Sequence, residues 1–425
     1  MYYQELKAYI NSEAIDEMLK KIVCKDDLTA EKARYQKLLD DALAKYGDGD
    51  YHFISSPGRT EIGGNHTDHQ HGHVVAASLS IDNLVICKAN NSNIVNYLDP
   101  AFKESVVDIS DLSVNESEKN TSNSLIRGIA ARLNELGYSI SGFDALCDSR
   151  VLNGSGISSS ACFEVMVAEI FNTLFNDCKL NPVDRAIISQ YAENKYFGKP
   201  CGLLDQMAIS VGGFVTMDFK DPAKPVINNF EFSFNDYGYE LLLVNTKGDH
   251  ADLSDEYAAI PYESKAVAKE LGGEVLADAS KEDMLKKLAS IRKNVNNDRA
   301  LLRSLHFYNE DRRAVEEEYA IKNKDINRLL KLITESGHSS YMYLQNVYAV
   351  NRPYSQSLAL ALALSDDYLQ GEGAYRVHGG GFEGTIQAIV PKDRVAGYKE
   401  LISSVYGDDA VLDIAVRPFG TRKVI

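Results

Sequence analysis

The sequence predicts a two-domain α/β protein. The chain has 425 residues, 44% of them hydrophobic, enough to build two cores of ordinary size. Stretches with alternating apolar residues interleave with stretches whose apolar residues recur every three or four positions, which is the pattern of mixed strands and helices. A polar stretch bearing Pro222 and Pro225 and running to Tyr237 interrupts this pattern mid-chain and reads as a link between domains. The expected division is a helical extension over 1–48, a first domain over 49–225 and a second over 226–425.

The elements follow in order. Ile15, Met18, Leu19 and Ile22 share one helical face, and Leu38, Leu39, Ala42, Leu43 and Tyr46 another that Gly47 ends. Strands are expected at Tyr51–Ser55, Val74–Leu79 and Asn83–Lys88, with a dense polar loop after the first. Leu125, Ile126, Ile129, Ala130, Leu133 and Leu136 predict a helix over Ser122–Gly137. A glycine-serine loop then opens a helix to Phe175, a second helix covers Pro182–Phe197, and a strand covers Phe214–Phe219. Past the link come a strand at Tyr239–Asn245, a helical region from Tyr257 to about Tyr348, and strands at Gly371–His378, Thr385–Val390 and Val411–Arg417.

Charge narrows the function. With 45 basic and 61 acidic residues the net charge is −16, which repels nucleic acid and anionic membranes in the absence of a basic patch. Neither is expected as a partner. The six cysteines show no Cys-x-x-Cys pair and no disulfide rhythm, and the N-terminus lacks the apolar core of a signal peptide. A reduced, cytoplasmic setting is expected.

The stretch Gly154, Ser155, Gly156, Ile157, Ser158, Ser159, Ser160 has the makings of a phosphate cradle. Its glycines permit close backbone approach, and the start of the following helix concentrates unpaired N–H groups and positive dipole charge. The same residues also suit an ordinary turn before a capped helix. They do not form a Walker A loop, because Gly198-Lys199 is followed by Pro200, nor a dinucleotide fingerprint, because Ser159 stands where the third glycine belongs. A second dense segment, SPGRTEIGGNHTD, places a Pro57-Gly58 corner before Arg59 and a Gly63-Gly64 turn before Asn65, His66, Thr67 and Asp68. Such mixed donors and acceptors on one loop suit a polyhydroxyl ligand. His66, His69, His71 and His73 lack the helical spacing of a zinc site.

With the third motif, VHGGGFEG at Val377–Gly384, these segments resemble in order and spacing the three signatures of the GHMP small-molecule kinases. The first motif, with Asp205 and Tyr257, resembles the galactokinases among them. The resemblance implies an N-terminal domain of the ribosomal-protein-S5 type and a ferredoxin-like C-terminal domain, with the active site in the cleft between them. It implies ATP on Gly154–Ser160, sugar on Asn65–Asp68 and Tyr257, Asp205 as the base and Arg59 as the fixed cation at the transferring phosphoryl group. Mg²⁺ would be held by Ser160 and Glu193. The reaction implied is phosphorylation of galactose at its anomeric hydroxyl by a monomer. Alternatives are a kinase of galacturonic acid or a non-catalytic sugar sensor. Three positions depart from the pattern: most galactokinases have glutamate at Asn65, asparagine at Glu61 and glycine at Glu383. If Asn65 faces the sugar, Asn65→Glu should leave galactose phosphorylation equal or better.

Overall fold

The computed structural model describes residues 1–100, 104–151, 156–199, 201–248 and 253–425. Helices α1 (Tyr3–Asn11), α2 (Asp16–Val23) and α3 (Thr29–Tyr46) precede strands β1 (His52–Gly63), β2 (His73–Ala89), β3 (Ile94–Leu98) and β4 (Ser105–Asp108). Then come α4 (Ser122–Glu135), β5 (Phe143–Ser149), α5 (Ser159–Phe175), α6 (Pro182–Ala192), α7 (Leu204–Val211), β6 (Phe214–Asp218) and β7 (Val226–Phe230). The second half holds β8 (Tyr239–Asn245), α8 (Ser254–Leu271), α9 (Lys281–Lys286), α10 (Leu288–Val295), α11 (Asp298–Lys322) and α12 (Ile326–Ser339). It closes with α13 (Ser357–Leu369), β9 (Ala374–Val377), β10 (Thr385–Pro391), α14 (Val395–Tyr406), β11 (Val411–Ile414) and β12 (Arg422–Lys423).

These elements form two sheets, as the two-domain α/β reading requires. The larger runs β12-β1-β2-β5-β3-β4, with β6 and β7 continuing from the first half of β2, and the smaller runs β11-β8-β10-β9. Among the described residues only the β3–β5 pairing is parallel. Three local expectations change. The two strands expected at 74–79 and 83–88 are one, because β2 is long enough to pair with β6 at one end and β5 at the other. Arg59 sits on β1 rather than after a loop corner, since the Pro57-Gly58 step is absorbed as a bulge against β2. The boundary after 225 cuts through the larger sheet's edge, because Val226–Phe230 pairs with Phe214–Asp218.

The extension is packed rather than appended. Leu6, Ile10, Leu19 and Leu39 are fully buried against Phe53, Leu84 and Ile86. Arg34 reaches from α3 to Asp82 on β2 at 2.7 Å. The two sheets share a core in which Ile62, Val165 and Ile209 lie in one cluster with Leu243, Ile333 and Ile389. Burying these side chains together gives roughly 1.5–3 kcal/mol each in transfer free energy. That shared core holds the end of β1 against β9 and β10, with Thr60 donating to Gln387 Oε1 at 2.8 Å. The cleft opens along this junction.

Candidate active site

Arg59 organises the cleft floor. Its Nε donates to Asp205 Oδ1 at 2.7 Å and its Nη1 to the Gly156 carbonyl at 2.6 Å. Asp205 lies in the first turn of α7 and takes a second hydrogen bond from the Ser158 hydroxyl. Burial would push this carboxyl up, but Arg59, Ser158 and Lys199 outweigh it and hold the group below its ordinary value. Asp205 is thus a fixed anion.

Ser158 occupies the N-cap position of α5 without capping it, at φ +63°. A left-handed serine costs of order 1 kcal/mol, tolerated here because the hydroxyl is committed to Asp205 instead. The start of this 17-residue helix therefore has no cap from the Ser158 side chain. Gly156, at φ +75°, has no room for a side chain: a Cβ there would sit 2.5 Å from the Thr385 hydroxyl. Ile157 is buried and its carbonyl accepts from Arg59 N at 3.1 Å. Gly154 and Ser155 lie outside the described residues.

Three cavities adjoin at this helix start. One of about 320 Å³ is lined by Arg59, Gly156, Ser158–Ser160, Asp205, Tyr257 and the His378–Gly381 turn. A second, also about 320 Å³, shares Ser159 and Ser160 and extends over Tyr97, Leu125, Val151 and Phe163. A small one of about 130 Å³ joins Ser160, Glu193, Lys199 and Asp205 to Asp68.

The small cavity suits a hard cation. The Glu193 carboxylate, buried at the start of the short π-helix 193–197, accepts from Gln206 Nε2 at 2.8 Å and from Lys199 Nζ at 3.3 Å, and Ser160 presents its side chain to the same space. Gln206 also donates to Glu164, whose Oε1 is buried without a partner. No cluster of three histidine, cysteine or carboxylate side chains able to hold a metal alone exists among the described residues. One hydroxyl and one carboxylate beside open space fit Mg²⁺, which keeps several waters and phosphate oxygens as ligands.

The sugar-motif residues divide into two groups. Asp68 and Tyr257 face cavities. Burial, with the charges of Glu61 and Asp205 nearby, pushes the Asp68 carboxyl up to about 6. The Tyr257 hydroxyl donates to Gly381 O at 2.8 Å and its ring meets Phe382 edge-on. His66, at φ +58°, turns Nε2 to the Gly380 carbonyl at 3.1 Å.

Asn65 and Thr67 do not face a ligand. Thr67 is fully buried and its hydroxyl closes the turn onto the Gly64 carbonyl at 2.8 Å. Asn65 is fully buried with its amide saturated: Nδ2 donates to Glu61 Oε1 at 2.7 Å and to Gly379 O at 2.9 Å. Its Oδ1 accepts from Asn346 Nδ2 at 2.9 Å and Ser340 Oγ at 3.2 Å. The sequence reading of both as sugar contacts does not match this arrangement, because both side chains are fully buried, the Asn65 amide is fully paired and the Thr67 hydroxyl proton is spent on backbone carbonyls.

Behind them stands a network that the sequence does not announce. Glu310 on α11 accepts from the Gly64 and Asn65 amides at 3.1 and 3.3 Å and pairs with Arg313, which brings its carboxyl down to about 2 despite burial. His306 reaches the Asn65 carbonyl at 2.9 Å, and Arg376 on β9 pairs with Glu61 at 3.0 Å. Glu317 fills the space beside Gly63, where a Cβ would lie 1.7 Å from its carboxyl oxygen. With no partner and full burial, that carboxyl is pushed far up and stays protonated. Glu383 is drawn aside by the Ser355 and Ser357 hydroxyls at 2.7 and 2.9 Å. Within the sequence, only the glutamine beside Asp205 and the histidine opening the triple glycine lay close enough to a motif to be found.

Comparison with known proteins fits this geometry. Residues 124–213 match the family described as the GHMP kinases N terminal domain, and residues 43–89 match the galactokinase galactose-binding signature. The two matches together cover about a third of the chain. The chain is 28% identical over 367 residues to a galactokinase of Clostridium tetani, covering 85% of this chain and 89% of that one. A galactokinase of Clostridium acetobutylicum is also 28% identical, over 83% of this chain and 88% of that one. Its fold is that of Lactococcus lactis galactokinase, solved in complex with galactose, at a TM-score of 0.76 and 21% identity over 90% of this chain and 97% of that one. Methanococcus jannaschii mevalonate kinase shares the GHMP fold at a TM-score of 0.61 and 14% identity, over 87% and 99% of the two chains.

Proposed function

We propose that the chain is a GHMP kinase that transfers the γ-phosphoryl group of ATP to the anomeric hydroxyl of galactose, giving galactose 1-phosphate and ADP. The observation that carries the reading is the position of the Arg59–Asp205 pair, between the cavity at the start of α5 and the small cavity that reaches Asp68. The galactokinase relatives and the matched galactose-binding signature point to the sugar.

The residues supply what phosphoryl transfer needs, which is positioning and charge neutralisation. The cavity walled by Tyr97, Leu125 and Phe163 takes the nucleoside, and the positive end of the α5 dipole faces its phosphates. Asp68 and Tyr257 orient sugar hydroxyls. Asp205 accepts the proton of the attacking hydroxyl. Its carboxylate gives up contact with Ser158 or shares it, while Arg59 stays fixed and meets the charge on the transferring group. Ser160 and Glu193 would hold Mg²⁺, which neutralises phosphate charge when bound. The Lys199 ammonium, paired with Glu193, adds a movable cation.

A galacturonate kinase would need the Asn65 amide to face a carboxylate at carbon 6, and that amide is spent on Glu61 and Gly379. A sensor without catalysis would lack the base or the serine loop. The six free cysteines support a protein acting in the cytoplasm, and the negative net charge one acting on small molecules rather than on nucleic acid or membranes. ADP release measured with ATP, Mg²⁺ and a panel of sugars tests the assignment. Galactose is expected to give the highest kcat/KM, and faster turnover of galacturonate would replace the sugar while keeping the kinase.

A further inference from the structure

His378 closes β9 at the edge of the cavity that holds Arg59, Gly156 and Asp205. It is 2% exposed, and its Nε2 is buried with no hydrogen-bond partner. Its backbone N donates to Thr385 O at 3.0 Å and its Nδ1 lies 3.1 Å from the Thr385 hydroxyl, so the ring cannot swing freely. An enclosed imidazole nitrogen without a partner is costly, and its place in the cavity wall calls for a ligand atom.

The tautomer follows from counting. If the Thr385 hydroxyl donates to Nδ1, the hydrogen on Nε2 is the single unmatched donor. If Nδ1–H donates to Thr385 instead, the threonine proton and the Nε2 lone pair are both left over. The first arrangement is the cheaper one. Resting on the kinase reading above, we propose that His378 is a further catalytic residue: a neutral imidazole whose Nε2–H donates to the terminal phosphoryl group of bound ATP, with Thr385 setting the tautomer.

The surroundings agree. Burial, with the charges of Arg59 and Arg376, drives the imidazole far below its ordinary value, so it stays neutral. A neutral donor adds a hydrogen bond to a phosphoryl oxygen without placing a third cation against two arginines. Gly156 brings the two walls together: a Cβ there would sit 3.2 Å from Nδ1 of His378, and Arg59 holds the Gly156 carbonyl at 2.6 Å. The terminal phosphoryl group is the part of the nucleotide that must reach this corner, because Asp205 lines the same cavity.

Calorimetric titration of the full-length protein with the imido analogue of ATP, and separately with ADP, both with Mg²⁺, tests this in wild type, His378→Phe, His378→Gln and Thr385→Val. Loss of one hydrogen bond to a charged acceptor predicts that His378→Phe binds the analogue about tenfold or more weakly, with ADP unaffected. His378→Gln, whose amide can donate from a similar position, should recover most of the loss, and Thr385→Val should show part of it. Long-range proton–nitrogen spectra of the histidine-labelled free enzyme should show His378 as the Nε2–H form, with that signal moving on analogue binding. Equal analogue affinity in wild type and His378→Phe, an equal loss for ADP, or an Nδ1–H ring would overturn the inference while leaving the kinase reading intact. Wild-type protein that bound neither nucleotide would overturn both.

Discussion

The two walls of the cleft are built on opposite principles. Around Arg59, Asp205 and the start of α5, charged and polar groups are held in place yet face open space: the Glu193 carboxylate lines a cavity and the His378 Nε2 has no partner. Around Asn65 the loop's own valences are taken, with Glu310, His306, Asn346 and Glu61 consuming what it offers, and the unpartnered Glu317 carboxyl and Asn346 Oδ1 lie behind it, away from the described cavities. In the proposed reaction the open wall is where charge changes, and preorganised groups act most strongly there. The closed wall sets the shape of the sugar loop from behind. Rate should therefore depend on the first and stability and sugar affinity on the second.

Glu310→Ala is the sharpest test of the closed wall. It leaves Arg313 and two loop amides buried without their acceptor, a loss of the kind that costs about 3–5 kcal/mol. Denaturant unfolding should show that drop, with a raised sugar KM in the folded fraction. Unchanged stability would mean the network does not hold the loop.

Asp205→Asn probes the open wall. We expect kcat to fall about a hundredfold or more, the usual scale for a positioned base, with little change in melting temperature. A variant of full activity would remove Asp205 from proton transfer.

Asn65→Glu now carries the reverse of its sequence-based expectation. It would set a second carboxylate against Glu61, where Asn65 Nδ2 donates at 2.7 Å, so sugar KM should rise about tenfold through like-charge repulsion in a buried site. Adding Glu61→Asn should restore the donor–acceptor match, with Arg376 now the residue left short of a partner. Single and double variants assayed side by side give the coupling, and additive effects would show that the pair does not act as one.

The smallest expected effect separates the two acids of the cleft. Asp68, with its carboxyl pushed up to about 6, becomes a neutral acid below that pH and loses acceptor capacity toward sugar hydroxyls. Asp205 is held low by Arg59 and keeps its charge throughout. Sugar KM should rise as pH falls through about 6 and level off above it, while kcat changes little. A flat KM across that range would show that Asp68 does not titrate at the sugar.

How much of this was legible differs from one side of the cleft to the other. By itself the sequence identified the three motifs, the helix start at Ser158–Ser160, Arg59 and Asp205, because local backbone chemistry and short spacing leave a readable trace. Helix and strand periodicity likewise located most elements, since apolar spacing is a local property. What only the tertiary structure decided is which way the motif's side chains turn. Asn65 and Thr67 share the loop with Asp68, yet only Asp68 faces a cavity, because Thr67 closes its own turn and the Asn65 amide is taken by Glu61, Gly379, Ser340 and Asn346, while Glu310 and His306, from a helix about 240 residues later, claim the loop's amides and carbonyl. Along α11 those groups read as part of an ordinary charged face. Burial and partners belong to the folded contact, and they decide whether such a group is solvated, titrates or holds a loop.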